Sequence, residues 1–326
     1  MITVLAGGVG AARFLRGLLA VVDAGDVTAV VNTGDDTVLH GLFISPDIDT
    51  ITYTLAGAID PERGWGLRDE TWRAMEALQR FVAVRPAGSS AAPTWFNLGD
   101  QDLATHFYRT ARRAEGASLT DITAEIASAF GLELRLLPMT DDRVETMVTV
   151  RDDEMSDAEL EVSFQEYFVQ RHHGVPVSAV RFAGAERAVL AAGARAAIAD
   201  ADAVVIAPSN PLVSIGPLRA LAGLDQLLGS RRDSVVAVSP IVGGAALKGP
   251  ADRMMVELGH EPSVVGVARL YAPIAASLVI DPVDAYLATA VEAEGVRAIV
   301  IESVMSSPEI AAALARATLG AAGLSR

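Results

Sequence analysis

The first residues of the chain contain the feature that most limits its possible folds, a glycine-rich turn between a strand and a helix. Residues 2–5 are apolar and partly β-branched, as expected for a short strand buried in a parallel sheet. Gly7, Gly8 and Gly10 follow directly, and residues 11–22 then repeat apolar side chains at helical spacing. This order opens a nucleotide-binding βαβ unit, in which glycine lets the backbone approach a phosphate and helix amides favour negative charge. A tight turn needs glycine whatever it binds, so the turn alone leaves both interpretations open.

The charge of the chain restricts what it binds. Its 326 residues include 26 basic and 41 acidic side chains, and the net charge of −15 argues against recognition of a nucleic-acid backbone. The absence of cysteine excludes disulfides, thiolate catalysis and thiolate metal sites. No apolar run reaches the roughly 18 residues of a membrane helix, and the N-terminus lacks the pattern of a signal peptide. We therefore expect a cytoplasmic protein that binds neither a membrane nor nucleic acid.

The second strand, residues 27–31, ends without the residue that a dinucleotide-binding enzyme uses. Such an enzyme places an acid here to hold the ribose, and this chain has Asn32. The third glycine of the G-x-G-x-x-G motif is also missing, because Arg13 occupies its position. Asp35 and Asp36 follow the strand instead, at the carboxyl edge where open α/β sheets bind ligands, although two aspartates also suit a solvated turn.

Asp49 lies in a second acidic segment, and two interpretations of it remain open. It has the residue type that caps a helix, here one that begins at Thr50. It also places a carboxylate beside Asp35 and Asp36, and such oxygen ligands suit a magnesium ion held with substrate phosphates. Asp35, Asp36 and Asp49 are therefore candidate Mg²⁺ ligands.

The middle of the chain, residues 59–171, differs from both ends and predicts a mostly helical insertion. It contains all three tryptophans and a helix whose start, residues 100–106, is crowded with polar side chains. Gln101 and His106 are candidate substrate-binding residues, and a nearby tryptophan suits stacking on a planar ring, although tryptophan more often packs in a core. Because both ends alternate strands and helices, we expect one α/β domain over residues 1–326, a doubly wound Rossmann-like fold with a mostly parallel sheet.

Two later strands, residues 203–207 and 234–239, each run into a loop rich in glycine, serine or proline, as at the phosphate-binding edge of a doubly wound sheet. Lys248 in the second loop is not part of a Walker A motif, because Gly249 replaces the hydroxyl residue. Glycine amides and one lysine nevertheless suit an anion. The short apolar segment 263–267 predicts a further strand. The candidate binding residues in the two loops are Ser209, Asn210, Gly243, Gly244 and Lys248.

Six motifs occur in order along the chain and cover nearly all of it. They are AGGVGAARFLRGL, VNTGDD, HGLFISPDIDT, LGDQDLATH, PSNPLVSIGP and SPIVGGAALKGPADRMM. In this combination the chain resembles the family of 2-phospho-L-lactate transferases and phosphoenolpyruvate transferases that build the deazaflavin coenzyme F-420. Its alanine- and arginine-rich composition resembles an actinobacterial member, a branch in which the donor carries enolpyruvate rather than lactate.

The resemblance implies a specific reaction. The acceptor is the deazaflavin 7,8-didemethyl-8-hydroxy-5-deazariboflavin, and the donor is a guanosine diphosphate joined to phosphoenolpyruvate or phospholactate. The terminal ribityl hydroxyl attacks the phosphorus that carries the three-carbon acid, and GMP leaves. A magnesium ion across the diphosphate supplies much of the charge neutralisation that such a transfer needs.

The resemblance also implies roles for residues of this chain. Asp36 and Asp49 match acids that hold the metal or the deazaflavin, and Asp49 has the alternative role of accepting the ribityl proton. The turn from Gly7 to Arg13 shares the nucleotide with the two later loops. Gln101 stands where archaeal members have arginine, which puts a direct charge contact from this position in doubt. We expect the protein to act as a homodimer.

Two other classes of function compete with this one. A Rossmann oxidoreductase that uses a nicotinamide shares the opening βαβ unit, but Asn32 and Arg13 count against it. A noncatalytic nucleotide-sensing module would keep the loops without the chemistry. Release of GMP on incubation with deazaflavin, donor and magnesium distinguishes the transferase from both.

Overall fold

The structure is a computed structural model that describes residues 1–151 and 159–324. An acidic linker that the sequence predicts at residues 152–154 lies outside these ranges. Among the described residues, no helix combines the length and apolar character needed to cross a membrane. The described strands are β1 (Ile2–Ala6), β2 (Val27–Val31), β3 (Thr37–Leu39), β4 (Leu42–Ile44), β5 (Arg135–Pro138), β6 (Glu145–Arg151), β7 (Glu159–Ser163), β8 (Val177–Ala183), β9 (Ala203–Ile206), β10 (Val235–Val238), β11 (Ile241–Val242), β12 (Ala245–Ala246), β13 (Ser277–Ile280) and β14 (Arg297–Val300). The described α-helices are α1 (Gly8–Leu19), α2 (Pro46–Leu55), α3 (Arg73–Val82), α4 (Asp100–Ala114), α5 (Leu119–Ala129), α6 (Ala192–Asp200), α7 (Gly216–Arg219), α8 (Leu224–Ser230), α9 (Ala251–Glu257), α10 (Val264–Tyr271), α11 (Ala288–Ala293) and α12 (Pro308–Ala321).

The central sheet has seven strands in the order β14-β13-β10-β9-β1-β2-β5, and all of its neighbouring strands pair in parallel. Strands β1, β2, β9 and β10 are buried along their whole length. This burial explains why their sequences are nearly continuous apolar runs rather than alternating patterns. Apolar side chains from helices cover both faces of the sheet in two large clusters. The predicted doubly wound α/β fold with a mostly parallel sheet is confirmed.

The sheet grows in opposite directions from β1. The chain passes from β1 to β2 on one side, whereas β9, β10, β13 and β14 extend the sheet on the other. The loops that follow β1 and β9 lie side by side at this switch point. The hydroxyl of Ser209 donates to the carbonyl of Gly7 at 2.7 Å and lies 3.3 Å from its amide. Open α/β sheets bind ligands in the crevice at such a point.

The segment predicted as a mostly helical insertion, residues 59–171, is helical only in its first part. Helices α3, α4 and α5 occupy it up to Ala129, and β5 then joins the edge of the central sheet beside β2. From Glu145 the chain forms a separate antiparallel sheet, in which β6 lies between β7 and β8. A strand pattern in the sequence does not reveal the partner strand, so the two sheets were not separated from the sequence alone.

The segment predicted as a strand at residues 263–267 is instead the beginning of helix α10, so this prediction is wrong. The hydroxyl of Ser263 accepts hydrogen bonds from the amides of Val265 and Gly266 at 3.1 and 3.2 Å, and therefore caps the helix. The next strand of the central sheet is β13, which begins at Ser277. A short apolar run fits a buried strand and a buried helix equally well, and here the serine cap decides.

The short hairpin of β3 and β4 attaches helix α4 to the segment that leads into α2. It turns at His40 and Gly41, which both have the positive φ of a two-residue hairpin turn. The amide of Phe43 donates to the hydroxyl of Thr110 at 2.9 Å, and the guanidinium of Arg113 lies 4.5 Å from the centre of the Phe43 ring. Helix α4 is thus held against the part of the chain that carries Asp49.

Gly17 provides a test of the close packing between α1 and α12. A Cβ at Gly17 would lie 2.5 Å from the carbonyl carbon and oxygen of Ala311, so Gly17→Ala must separate the two helices. We expect the free energy of unfolding to fall by about 1–3 kcal/mol. Gly320 in α12 is the matched control, because a Cβ there meets no atom within 4 Å. Gly320→Ala should raise stability by up to about 1 kcal/mol. Urea unfolding measures both variants, and equal effects would contradict the packing described.

Candidate functional site

The carboxyl edge of the central sheet brings together most of the residues selected from the sequence. They follow the ends of β1, β2, β9 and β10, and Asp49 lies on the adjoining helix α2. Gln101 and His106 are the exceptions, because both belong to α4. The residues at the edge are Gly7, Gly8, Gly10, Arg13, Asn32, Asp35, Asp36, Ser209, Asn210, Gly243, Gly244 and Lys248.

Three carboxylates are enclosed at this edge: Asp35, Asp36 and Asp47. The side-chain amide of Asn32 donates to Asp47 Oδ2 at 2.9 Å, and the hydroxyl of Ser45 donates to Asp36 Oδ2 at 2.8 Å. Asp35 Oδ1 and Asp36 Oδ1 are buried without a hydrogen-bond partner. Buried oxygens in this state are costly unless a proton or a cation meets them.

Burial also changes how these three carboxylates titrate. Desolvation raises the pKa of Asp36 to about 7 and that of Asp47 to about 6, and it raises the pKa of Asp35 well above its ordinary value. Repulsion between the carboxylates of Asp35 and Asp47 adds to the shift in the pKa of Asp35. The charges of Arg109 and Arg143 act in the opposite direction on the pKa of Asp36. The cluster as a whole therefore attracts positive charge.

Asp47 occupies the position at which a phosphate binds in many βαβ units. Its carboxylate accepts a hydrogen bond from the amide of Gly8 at the start of α1, and a Cβ on Gly7 would lie 2.9 Å from its Oδ2. Gly10 serves another internal contact, because a Cβ there would lie 2.2 Å from the carbonyl oxygen of Pro208. A carboxylate of the protein thus already meets the positive end of α1. This arrangement argues against a nicotinamide dinucleotide on the glycine turn.

Arg109, which no local sequence pattern singles out, holds Asp49. Arg109 is only 1% exposed and forms a two-pronged ion pair, in which Nη1 lies 3.1 Å from Asp49 Oδ2 and Nη2 contacts Oδ1. Nη1 also lies 3.1 Å from Nδ1 of His106, which must be the acceptor because a guanidinium only donates. His106 Nε2 faces Asp102 at 3.3 Å, and Asp102 accepts a hydrogen bond of 2.7 Å from the hydroxyl of Tyr53.

This network lies inside the contact between α2 and α4. His106 is 1% exposed, so the structure places this predicted substrate-binding residue away from the surface. Asp49, Asp102 and His106 present ligand atoms within 4.8 Å of one another, which is close enough to hold a metal. We assign no metal to this set of three side chains, because both ring nitrogens of His106 already face partners inside the protein, Arg109 and Asp102.

The structure corrects the start of the helix that carries Asp49. Helix α2 begins at Pro46, with Ser45 as the preceding cap residue. Proline suits the first helical position because its φ is already helical and its missing amide is not needed there. Asp49 therefore lies in the first turn of the helix, and the interpretation of Asp49 as the cap of a helix that begins at Thr50 is wrong.

The polar start of α4 serves mainly to connect this helix to its neighbours. Asp100 accepts hydrogen bonds from the amide and hydroxyl of Thr71 at 2.8 and 3.0 Å. Gln101 is exposed, and its side-chain amide lies 3.3 Å from the carbonyl oxygen of Arg68. Of the two predicted substrate-binding residues on α4, only Gln101 is therefore accessible to a ligand.

The loops after β9 and β10 use several of their polar groups internally. The side-chain oxygen of Asn210 accepts a hydrogen bond of 2.9 Å from the amide of Leu212, as in an Asx turn. Gly243 and Gly244 form the tight turn between β11 and β12, and both have positive φ. The amide of Gly243 donates to Asp284 at 2.8 Å, so it is not free for a phosphate in this arrangement.

Lys248 lies beside Gly64, which precedes Trp65 in a distant part of the sequence. It is the only lysine among the 26 basic residues of the chain, and its Nζ lies 3.3 Å from the position of a Cβ on Gly64. The neighbouring Trp65 is 42% exposed, and its ring centre lies 5.6 Å from that of Trp72. The guanidinium of Arg63 lies over both rings at 5.3 and 4.9 Å. The exposed Lys248 therefore lies against the residue that precedes an exposed tryptophan.

Comparisons with known proteins agree with the resemblance found in the sequence. The family described as 2-phospho-L-lactate transferase CofD matches residues 2–313. A phosphoenolpyruvate transferase from Kitasatospora aureofaciens is 41% identical over 323 residues, which cover 98% of this chain and 97% of the relative. The chain belongs to this transferase family. A phosphoenolpyruvate transferase from Mycobacterium tuberculosis strain H37Rv is 39% identical over 336 residues and 99% of each chain.

Membership of this family makes the protein an enzyme of the transferase class and confirms the predicted family. A solved structure of a UPF0052 family member from Bacillus halodurans also matches, with a TM-score of 0.58 over 98% of both chains. Since the two sequences are only 14% identical, that match shows a shared fold and no more.

Removing Arg109 tests how strongly the transferase depends on its buried ion pair. Arg109→Met strands the charge of Asp49 in the interior, and we expect the free energy of unfolding to fall by about 3–5 kcal/mol. Adding Asp49→Asn should recover part of that loss, because the stranded charge is then gone. Arg187→Met is the matched control, since that side chain is 82% exposed and should change stability by less than about 0.5 kcal/mol. Guanidinium chloride unfolding measures all three, and a double variant no more stable than Arg109→Met would contradict the analysis.

Proposed function

We propose that this transferase moves a phosphoenolpyruvyl group, or a 2-phospho-L-lactyl group, from a guanosine diphosphate-linked donor to the ribityl hydroxyl of 7,8-didemethyl-8-hydroxy-5-deazariboflavin. The products are dehydro coenzyme F-420-0, or F-420-0, and GMP. The observation that carries the proposal is the family match over residues 2–313. Relatives at 41% and 39% identity are named phosphoenolpyruvate transferases, which favours the enolpyruvyl donor. We further propose that the enzyme works in the cytoplasm as a homodimer.

The proposed chemistry is a substitution at phosphorus. The ribityl oxygen forms a bond to the phosphorus that carries the three-carbon acid, and the bond from that phosphorus to the bridging oxygen breaks. GMP leaves with the electron pair, and the hydroxyl proton passes to a carboxylate or to water. Such a transfer depends on positioning and charge neutralisation rather than on a protein nucleophile, which is consistent with a chain that has no cysteine.

The acidic cluster fits a magnesium ion. Asp36 presents a buried oxygen that has no hydrogen-bond partner, and carboxylate oxygens are the ligands that Mg²⁺ prefers in proteins. In our proposal Asp36 and Asp49 would hold the ion. Arg109 keeps Asp49 in place through the buried ion pair, and each Asp49 oxygen retains a second lone pair for the ion. When bound, the ion neutralises charge on the diphosphate. A protein with a net charge of −15 needs such local neutralisation to accept an anionic donor.

Lys248 and Trp65 fit different parts of the two substrates. A lysine ammonium is a compact point charge on a flexible stem, and it suits a phosphate of the guanosine nucleotide. The exposed face of Trp65 suits stacking of the planar deazaflavin ring. Because Lys248 lies against Gly64, which precedes Trp65, the two substrates would approach each other where these loops meet.

The direct test incubates the protein with donor, deazaflavin and Mg²⁺ and measures GMP. A transferase releases GMP only when both substrates are present, and a nicotinamide oxidoreductase or a sensing module releases none.

We expect Asp36→Asn and Asp49→Asn each to lower turnover by at least about 100-fold, as loss of a main electrostatic group does, with partial recovery at high Mg²⁺. Glu186→Gln is the control, because that side chain is 63% exposed and forms its ion pair with Arg187. Near-normal turnover of Asp49→Asn at low Mg²⁺ would rule out its proposed role.

A second prediction uses the fact that Lys248 is the only lysine. Lys248→Met should weaken GDP binding by at least about tenfold and leave deazaflavin affinity unchanged. Trp65→Ala should weaken deazaflavin binding by at least about tenfold and leave GDP affinity unchanged. Lys248→Arg retains the charge and serves as the control. An amine-selective reagent should label Lys248 of the native protein more slowly in the presence of GDP. Protection by deazaflavin but not by GDP would refute the assignment.

A further inference from the structure

The loop after β5 carries an arginine toward the acidic cluster. Strand β5 pairs with β2, and the last pair joins Pro138 to Val31, so the loops that follow the two strands leave the sheet side by side. The amide of Met139 donates to the carbonyl of Val31 at 2.8 Å. Farther on, the amide of Thr146 donates to the carbonyl of Gly34 at 2.7 Å. Residues 139–146 therefore run alongside the loop that contains Asp35 and Asp36.

Contacts on both sides fix the backbone of this loop. Asp141 accepts hydrogen bonds of 2.7 and 3.1 Å from the start of α5, and Asp142 accepts one of 3.1 Å from the amide of Val189. Gly184 packs so closely on Arg143 that a Cβ would lie 2.4 Å from its carbonyl oxygen. The loop thus presents the side chain of Arg143 from a fixed backbone, which lowers the entropy cost of binding a ligand with it.

Arg143 is accessible, unlike the other arginine near Asp36. Its side chain is 42% exposed, and it forms an ion pair of 3.1 Å with Glu145, which is itself partly exposed. Glu145 lines the same small cavity as Asp35 and Asp36. Arg109 is buried and bound to Asp49, so it cannot reach a ligand. An ion pair as exposed as that of Arg143 contributes little stability, and a ligand anion can replace Glu145 in it at small cost.

We propose that Arg143 binds the three-carbon-acid end of the donor, with its guanidinium on the carboxylate or phosphate oxygens of that group. The identity of this group rests on the proposed function. The strand order β10-β9-β1-β2-β5 places the loops of Lys248 and Arg143 on opposite sides of the switch point. The two cations then serve opposite ends of one donor. A planar guanidinium matches a carboxylate through two parallel hydrogen bonds, whereas lysine acts on a phosphate as a point charge.

Phosphoenolpyruvate alone is the probe, because it carries both anionic groups of that end without the nucleotide. We expect Arg143→Met to bind it at least about tenfold more weakly than the wild-type protein, in isothermal titration, while GMP affinity stays within about twofold. Arg143→Lys keeps the charge but loses the planar fork of donors. Its affinity for phosphoenolpyruvate should lie between those of the wild type and Arg143→Met. Arg187→Met is the matched control, because its exposed side chain belongs to the neighbouring loop, and it should bind like the wild type.

Three results would overturn the proposal: no binding of phosphoenolpyruvate by the wild type, equal binding by Arg143→Met, or a parallel loss of GMP affinity in that variant. In the turnover assay, Arg143→Met should lower kcat/KM for the donor by at least about tenfold and leave KM for the deazaflavin unchanged. The proposed function and this inference fail separately. Absence of GMP release by the wild type refutes the proposed function, whereas the binding probe requires no turnover.

Discussion

The ion pair between Asp49 and Arg109 is the contact on which the arrangement of the site depends. It joins α2 to α4, and both charged side chains are buried there. Desolvating two ions is costly, and only good geometry with further hydrogen bonds offsets that cost. The guanidinium also lies 3.1 Å from His106 and 3.4 Å from the carbonyl oxygen of Phe43, so its donors are used on several sides. The pair therefore determines how α4 packs on α2 and where Asp49 lies relative to Asp36.

A second internal carboxylate determines what the glycine turn can bind. In dinucleotide-binding enzymes the amides at the start of the first helix meet the pyrophosphate of the ligand. In this chain Asp47 meets them, and Gly7 and Gly8 lie against its carboxylate. Asn32, which replaces the ribose-binding acid, donates to Asp47 at 2.9 Å. The β2 side of the crevice therefore presents acids rather than free amides, and affinity for a diphosphate there has to come from cations.

Secondary structure was predictable from the sequence where a pattern fits only one type of element. Strands β1, β2 and β9 are apolar except for one threonine each in β1 and β2, and turn residues follow them, so their place in a buried parallel sheet was predictable. The structure of residues 263–267 was not predictable, because a short apolar run fits a capped helix as well as a strand. Arg109 was missed because arginine normally faces water, although its spacing from Asp102 and His106 puts all three on one helix face. Whether a charge is buried depends on a partner elsewhere in the fold, here Asp49, and no local pattern encodes that partner.

Arginine and lysine have different physical properties, and the chain uses the two residues very unequally. Of the 26 basic residues in the chain, only Lys248 is not an arginine. Arginine is the better residue for a buried or two-pronged contact, because its planar fork is fixed and weakly hydrated, and Arg109 is used in that way. Lysine carries a compact charge that moves with its flexible stem, so it stays close to a phosphate whose position changes as a bond to it breaks. An exposed lysine beside Gly64, in a chain whose other basic residues are all arginine, therefore fits the phosphate contact that we propose for Lys248.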